Sequence, residues 1–364
     1  MTHRIRAALA AATSALVFGS TAACSADDET VTPARSAGAL ISDERCEQNK
    51  AAGEIVYLSG YQWQASASIL EYAAAEKLGF FDDLCLDVTL EAGDGDVLRN
   101  TKRLAAGHAT FSPVSQQDIL TSVFHYIEVL GVSSYSNDGL EVLMTMPEVT
   151  DLKQLDGTKL GQKGAMPVGV QAMLAKAGAD VDSIRQSVVG YDPSILPAGQ
   201  VKSLTGFVSN EPVQLAARGE KVTVWKPADF QVPGSLGSMA VNPEFAERYP
   251  AAVEDVLRAA LHAYEHCLTH AAECVEATAE LTGDAPYDKD ANAAIWKTET
   301  GIVAQGRAAG TPLGAIDTAN VAATATMLNE HALTEITPEQ AQAAFRPDFI
   351  ANIHDGDKLI WPAP

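Results

Sequence analysis

The chain has 364 residues, which is more than one ordinary hydrophobic core needs and suits two lobes. Hydrophobic residues make up 47% of it, and no internal apolar run reaches the ~18 residues that would suggest a membrane span. With 25 basic and 47 acidic residues the formal net charge is −22, which repels a phosphate backbone and makes nucleic acid an unfavourable partner.

Residues 1–23 have the pattern of an export signal. Arg4 and Arg6 precede the apolar stretch AALAAATSALVFG, and the small residues STAA then lead to Cys24. This ending resembles a bacterial lipobox, in which the cysteine is lipidated and becomes the mature N-terminus, although Thr21 stands where Leu or Val is usual. We predict a signal peptide over 1–23, lipidation of Cys24 and a lipid-anchored tether over 24–52. A plain signal peptide ending near a cysteine is the alternative.

The other four cysteines can pair with one another. Cys46 precedes the first predicted strand and Cys85 the second, and parallel neighbouring strands would bring these two positions together. Cys267 and Cys274 are seven positions apart, close enough to link a helix end to the next turn. We therefore predict the disulfides Cys46–Cys85 and Cys267–Cys274, which suit an exported protein, with buried free thiols as the alternative.

Predicted strands and helices alternate along the first half of the chain. EIVYLSG (54–60), CLDVTLEAG (85–93) and ATFSPV (109–114) have the composition of strands, and each is followed by a helical pattern. IEVLGVSSYS and LEVLMTM follow as further strands. This spacing predicts a parallel sheet with right-handed crossovers.

The same pattern then restarts in a second, smaller unit. It contains the segments DLKQLDGTKLGQKG, QSVVGY, LTGFVSNEPVQLAARG and KVTVWKP. After GSMAVN (237–242) the chain is predicted to be helical to its end. We expect lobe 1 to cover 53–145, lobe 2 to cover 146–238, and residues 239–364 to return to lobe 1 and form C-terminal helices.

Several segments carry a family resemblance. They are EYAAAEKLGFFDDLCLDVTLEAGDGD, RLAAGHATFSPVS, DLKQLDGTKLGQKG, LPAGQVKSLTGFVSNEP and ITPEQAQAAFRPDFI, spread over residues 54–350. Together they resemble the solute-binding proteins of ABC importers, in particular the branch of thiamine-pyrimidine, alkanesulfonate and riboflavin receptors. The resemblance implies an α/β fold of the periplasmic-binding-protein type II class, with two α/β lobes, a hinge and a helical C-terminal segment.

The resemblance also implies the partners and the location of the protein. A small-molecule ligand would bind between the lobes, and an ABC permease would receive it. We expect an exported monomer on the outer face of the cell membrane, attached to the membrane only through its lipid, without a cofactor.

In pyrimidine-binding members of this branch, a Gly-aromatic-x-x-Asn-Glu motif places an acid against the ligand's amino-pyrimidine edge. The resemblance gives this role to Glu211, with Asn210 beside it and Phe207 as a stacking ring where those members often have Tyr. A carboxylate accepts strong, charge-assisted hydrogen bonds from an exocyclic amine. Capping of the helix that begins at Pro212 is the alternative role and is compatible with the first.

Positions at the ends of other strands add candidate ligand contacts. Trp63, with its neighbours Tyr61 and Gln62, can stack on a flat ring or cover the core. Ser66 can bind a polar group or cap the following helix. The remaining candidates lie in loops after predicted strands of both lobes, and they are Asp94, Ser112, Ser115, Gln116, Tyr135, Asn137, Lys163, Met166 and Tyr191.

One motif points to an enzyme instead. HAYEH (262–266) fits H-x-x-E-H, in which His262 and His266 would hold zinc and Glu265 would act as a base. The motif lies inside a long predicted helix, so we expect a solvated helix face and no metal. Pyrimidine synthases that share the implied fold carry a cysteine cluster and an active-site histidine near the first strand, and this sequence shows neither.

We therefore expect a receptor rather than an enzyme. It would capture a small, flat, nitrogen-bearing nutrient, with a thiamine-precursor pyrimidine as the first candidate. An alkanesulfonate or a flavin is the alternative ligand. A zinc hydrolase is the alternative from a different class.

Overall fold

The computed structural model describes residues 40–364. The predicted signal peptide, Cys24 and the first part of the predicted tether lie outside these residues. Within them, no helix is both long enough and apolar enough to span a membrane. Two five-stranded sheets organise this part of the chain, and we call the regions built on them lobe 1 and lobe 2.

The sheet of lobe 1 has the order β2-β1-β3-β10-β4. Only β10 runs antiparallel to its neighbours, so the carboxyl ends of the other four strands lie at one edge. The strands are β1 (Glu54–Leu58), β2 (Asp87–Glu91), β3 (Phe111–Pro113), β4 (Leu130–Ser133) and β10 (Met239–Val241).

The sheet of lobe 2 has the order β7-β6-β8-β5-β9. Here β5 is the antiparallel strand, so the carboxyl ends of β6, β7 and β8 share an edge. The strands are β5 (Glu141–Thr145), β6 (Lys159–Gln162), β7 (Arg185–Val188), β8 (Ser203–Phe207) and β9 (Thr223–Trp225).

Helices cover the sheets and make up most of the chain after β10. Short polar residues begin several of them: Asp96, Ser115 and Asp317 accept backbone N–H groups in the first turns that follow. A small hairpin, β11 (His354–Asp355) and β12 (Lys358–Leu359), lies near the C-terminus. The helices are α1 (Asp43–Lys50), α2 (Leu70–Lys77), α3 (Phe80–Asp83), α4 (Val97–Ala105), α5 (Gln116–Phe124), α6 (Val168–Lys176), α7 (Glu211–Ala217), α8 (Pro243–Arg248), α9 (Pro250–Thr269), α10 (Ala271–Leu281), α11 (Lys289–Gly306), α12 (Thr318–His331), α13 (Pro338–Ala343) and α14 (Asp348–Asn352).

Each sheet has a buried apolar cluster on both faces. In lobe 1 the larger cluster joins β1, α2 and α9, and the rings of Tyr57 and Tyr72 stack within it at 4.2 Å. Helix α12 packs against α5 of lobe 1 and α6 of lobe 2, and its Met327 belongs to the core of lobe 2. Residues near the C-terminus therefore contact both lobes.

The predicted tether over 24–52 extends too far, because residues 43–50 form α1 and pack on lobe 1. Arg45 donates hydrogen bonds to the carboxylates of Asp255 and Glu254 on α9, at 2.8 and 2.9 Å. Cys46 is bonded to Cys85. Residues 43–50 of the predicted tether are therefore part of the folded lobe.

Both predicted disulfides are present. Cys46–Cys85 joins the segments before β1 and β2, which are parallel neighbours as predicted. Cys267–Cys274 joins the end of α9 to α10.

Two segments carry the chain between the lobes, and they pair with each other. Tyr135 and Leu236 are linked by a backbone N–H to C=O bond of 2.8 Å, and the N–H of Gly234 donates to Asn137 O at 3.0 Å. The first crossing precedes Glu141, because β5 belongs to the sheet of lobe 2. This is earlier than the predicted boundary after residue 145.

After each crossing the chain inserts an antiparallel strand into the sheet it enters. β5 lies between β8 and β9, and β10 lies between β3 and β4. The predicted class is confirmed: the fold is α/β, of the periplasmic-binding-protein type II class, with two lobes, a hinge and a helical C-terminal segment.

Candidate functional site

The candidate site lies between the carboxyl ends of the strands of the two lobes. The loop after β8 reaches lobe 1, where the hydroxyl of Ser209 donates to Glu299 Oε1 on α11 at 2.9 Å. We call the region between the loops 59–69, 112–116 and 134–137 of lobe 1 and the loops 163–168, 189–192 and 207–211 of lobe 2 the interlobe cleft. Ligands of open α/β sheets bind at such strand ends.

Glu211 lies at the lobe 2 side of the cleft, but its carboxylate is fully buried and already engaged. One oxygen forms an ion pair with Lys163, and the other accepts the N–H of Phe207 at 2.7 Å. A Cβ at Gly206 would fall 2.6 Å from Glu211 Oε2, so glycine is needed there for the carboxylate to fit.

Glu211 therefore has a structural partner in Lys163, and its predicted contact with a ligand amine stays a prediction. The ammonium of Lys163 lies 5.2 Å from the centre of the Tyr191 ring. Burial lowers the pKa of Lys163.

Two aromatic rings at the same edge are accessible. Tyr191 is 76% exposed and Phe207 is 50% exposed, although both follow or end strands of the lobe 2 sheet. Such rings offer flat apolar faces on which a planar ligand can stack. Phe207 was predicted as a stacking ring and Tyr191 as a ligand contact, and both rings are open to a ligand.

The other two candidates of lobe 2 have structural contacts. Met166 is buried in the core of the lobe. Asn210 precedes α7, and its side-chain oxygen accepts from Gln214 at 2.7 Å without capping the backbone.

On the lobe 1 side, two buried acids surround the loop that leads into α2. Glu299 Oε2 accepts from the hydroxyl of Ser66 at 2.7 Å and from the N–H of Ala67 at 2.8 Å. Glu71 Oε1 accepts from the N–H of Ser68 and from the hydroxyl of Tyr135, both at 2.7 Å. Ser66 and Tyr135 were predicted to lie at the site, whereas the two acids were not.

The environment of these acids raises their pKa values. Burial, with a smaller contribution from the charge of Glu299, raises the pKa of Glu71 to about 7. Burial also raises the pKa of Glu299, and its hydrogen bonds offset this only in part. The second oxygen of Glu71 is buried and has no hydrogen-bond partner in the part of the chain that the structure describes.

Further buried polar atoms at the strand ends lack partners. They are Ser112 Oγ and Gln116 Nε2 in lobe 1 and Gln162 Oε1 at the end of β6 in lobe 2. The oxygen of Gln116 does have a partner, Asn320 Nδ2, at 2.9 Å. Buried polar atoms are nearly always hydrogen-bonded in folded proteins, so a ligand or a water molecule is expected to supply the missing partners.

Of four further candidates in lobe 1, two have structural contacts and two are exposed. Trp63 is half-buried and packs against the core, which favours its alternative role as a cover. Asp94 is exposed and forms an ion pair with Arg99. Tyr61 and Gln62 are exposed beside the cleft.

Ser115 and Asn137 support the framework of the site. Ser115 caps α5 and donates to the carboxylate of Asp118 at 2.6 Å. Asn137 donates to Asp317 at 2.8 Å and thereby ties the first crossing segment to the start of α12.

The H-x-x-E-H residues have packing roles. The ring of His262 stacks on Trp361 at 4.1 Å, and His266 Nε2 lies 2.9 Å from Glu273 Oε2. Among residues 40–364, no group of three or more His, Cys, Asp or Glu side chains is arranged to hold a metal ion. Nothing in this region of α9 therefore supports the hydrolase alternative.

Comparison with solved structures gives the same fold at low sequence identity. The periplasmic aliphatic sulphonate binding protein SsuA from Escherichia coli is 13% identical with a TM-score of 0.61, covering 85% of this chain and 96% of that one. The alkanesulfonate-binding protein SsuA from Xanthomonas axonopodis pv. citri, bound to MOPS, is 11% identical with a TM-score of 0.58, covering 80% and 98%. The desulfurization enzyme DSZB is 14% identical with a TM-score of 0.52, covering 82% and 98%. Binding proteins and an enzyme thus share this fold.

No protein of curated function matches the sequence significantly. The sequence model of the family described as NMT1/THI5 like matches residues 66–274, which is more than half of the chain. The matched region begins at Ser66, includes the whole of lobe 2 and ends at Cys274. The family resemblance is therefore confirmed: the chain belongs to the NMT1/THI5-like family.

Proposed function

We propose that the chain is the solute-binding protein of an ABC importer and holds a small, flat, nitrogen-bearing ligand in the interlobe cleft. One observation carries this proposal. Within residues 40–364, buried polar atoms without a hydrogen-bond partner occur at strand ends of both lobes, and the lobe 2 edge also carries the exposed rings of Tyr191 and Phe207. A planar molecule with hydrogen-bonding edges would satisfy both features.

The arrangement of the chain suits ligand-dependent closure. Two paired crossing segments join the lobes, so a rotation about them changes the separation of the facing loops. A ligand that contacts both lobes binds the closed form better and shifts the population towards it. The closed form would then be recognised by a membrane permease.

We further propose that the protein is exported, anchored by lipid at Cys24 and active as a monomer. The two disulfides support export, because such bonds persist in oxidising compartments. A binding role without catalysis agrees with the contacts of His262 and His266 described above.

A thiamine-precursor pyrimidine remains the first candidate ligand, with a flavin or an alkanesulfonate as the alternative. The solved neighbours named above include sulfonate-binding proteins, but sequence identities of 11–13% support a shared fold and not a shared ligand. Because Glu211 is paired with Lys163, we expect the pyrimidine also to contact the rings of Tyr191 and Phe207 and the acids of lobe 1.

A thermal-shift screen tests this function. Amino-pyrimidines, riboflavin, alkanesulfonates and amines would each be added to the purified protein. We expect one class to raise the melting temperature by about 5 °C, since a ligand at a hundred times its Kd stabilises by about 2.7 kcal/mol. Phe207→Ala should weaken that ligand's affinity about tenfold through the loss of stacking, as measured by calorimetry.

Val213→Ala, at an exposed apolar residue of α7, is the matched control and should leave the affinity unchanged. A screen in which no compound binds would contradict the receptor role. If Phe207→Ala leaves the affinity unchanged, the ligand does not bind at the lobe 2 edge.

A further inference from the structure

The backbone amides before α2 form the part of lobe 1 where an anionic ligand would be expected to bind. Free N–H groups at the start of a helix attract anions, and α2 begins at this edge of the sheet. In this protein the amides are already occupied. Ala67 N–H donates to Glu299, Ser68 N–H donates to Glu71, and Ala65 N–H donates to Asn292 Oδ1 at 2.7 Å.

Both acids are buried, and within residues 40–364 neither forms an ion pair. Glu71 is 0% exposed and Glu299 is 1% exposed. Within residues 40–364, their hydrogen-bond donors are the hydroxyls of Ser66, Tyr135 and Ser209 and backbone amides, all of which are neutral. A buried carboxylate paired only with neutral groups costs free energy, which a cation nearby would offset.

One carboxylate oxygen of this cluster is left without a partner. Among the described residues, no group donates a hydrogen bond to the buried Glu71 Oε2, although Oε1 of the same carboxyl accepts two hydrogen bonds at the ends of β1 and β4. Glu299 lies close enough to raise the pKa of Glu71, and its other oxygen meets Ser209 of lobe 2. The unpaired oxygen therefore belongs to a cluster located where the two lobes touch.

We propose that Glu71 and Glu299 determine the charge class of the ligand, so that the cleft takes a cationic or N–H-donating group and rejects sulfonates, phosphates and carboxylates. This inference rests on the proposed receptor function and narrows its ligand. The two acids already accept the backbone N–H groups that an anionic ligand would need. Their negative charges also repel such a ligand. A protonated amine or amidine instead supplies the missing donor to Glu71 Oε2 and neutralises buried charge.

Three probes with the same flat ring and different charge test the inference on the unmodified protein. Benzamidine is a cation, benzamide is neutral and benzenesulfonate is an anion. We expect benzamidine at millimolar concentration to raise the melting temperature more than benzamide does, and benzenesulfonate to give no shift. Equal or tighter binding of benzenesulfonate overturns the inference, and so does the absence of any benzamidine binding.

Variants then assign the selectivity to the two acids. Glu71→Gln and Glu299→Gln should each weaken benzamidine binding at least about tenfold and leave benzamide binding almost unchanged, because the amide side chain keeps the size but loses the charge. Glu76→Gln, at an exposed acid of the same helix, is the control and should have no effect. Circular dichroism would verify folding, and the probe comparison on the unmodified protein does not depend on the variants.

Failure of this inference differs from failure of the receptor function. If a nutrient from the screen binds and requires Phe207, but both Gln variants retain its affinity, only the charge-class inference is contradicted. If neither the nutrients nor the probes bind, both are contradicted.

Discussion

Replacing Lys163 by Met is expected to lower the free energy of unfolding by about 3 kcal/mol, because Glu211 would then lose its cation while remaining buried. The Glu211 side chain is 1% exposed, and among the described residues its one other hydrogen bond comes from the N–H of Phe207. Methionine keeps most of the apolar stem of lysine, so the loss reports mainly on the charge. Urea unfolding monitored by circular dichroism measures it.

A double-mutant cycle separates the ion pair from packing effects. Lys163→Met/Glu211→Gln should recover most of the loss, because glutamine can still accept the N–H of Phe207 and has no charge to bury. Arg218→Met, which breaks the exposed pair of Arg218 with Asp192 in the same lobe, is the control and should cost less than about 1 kcal/mol. If Lys163→Met costs no more than the control, Glu211 does not need Lys163 and keeps its predicted role as a direct acceptor.

The free energy of unfolding is expected to fall as the pH rises from about 5 to about 8. Burial raises the pKa of Glu71 to about 7, from an ordinary value of 4.5. The folded state therefore binds this proton more tightly than the unfolded state, and the stabilisation is complete below about 4.5 and lost as the pH passes 7. The shift corresponds to about 3 kcal/mol.

Other groups also titrate in this window, and burial lowers the pKa of His262 and His354, which act in the opposite direction. Burial and the charge of Asp118 raise the pKa of Glu141 to about 7 as well, so this acid adds to the same loss. The pKa of Glu299 is also raised, so this acid acts in the same direction as Glu71. The pKa values of Tyr72 and Tyr135 beside Glu71 are raised well above their ordinary value, so both rings stay neutral.

Urea unfolding at pH 5 and pH 8 measures this effect in the unmodified protein and in Glu71→Gln. The variant should show a drop smaller by up to about 3 kcal/mol, since its amide does not titrate. Glu244→Gln, at an exposed acid of α8, should keep the full drop. A Glu71→Gln protein with the same pH dependence as the unmodified protein would show that Glu71 is not buried as described.

Much of the fold follows from local sequence patterns. The alternation of β-rich runs with amphipathic helices identified both α/β units, and the positions of Cys46 and Cys85 before two strands identified their disulfide. The sheet to which β5 belongs could not be predicted from the sequence. LEVLMTM comes directly after another strand, and nothing local shows which sheet it joins. The helix α1 was missed because its packing depends on contacts with α9, which lies more than 200 positions later.

For the candidate site, the sequence predicted where residues lie relative to the strand ends but not which residues they contact. Strand ends correctly indicated Tyr191, Phe207 and Glu211 as residues of the lobe 2 edge. The ion pair of Glu211 with Lys163 joins two loops 48 positions apart, and sequence spacing does not reveal it. Glu71 did give a local signal, since it is an acid within the apolar run SILEYAAA, whereas Glu299 meets Ser66 across 233 positions.

The central claim is that a nitrogen-bearing ligand lies between the lobes and contacts both. A crystal structure with the compound that gives the largest thermal shift tests it most directly. We expect the ligand's ring to lie against Tyr191 or Phe207 and one of its N–H groups to lie within hydrogen-bond distance of Glu71 or Glu299. A ligand bound outside the interlobe cleft, or one that places an anionic group at these two acids, would contradict the account.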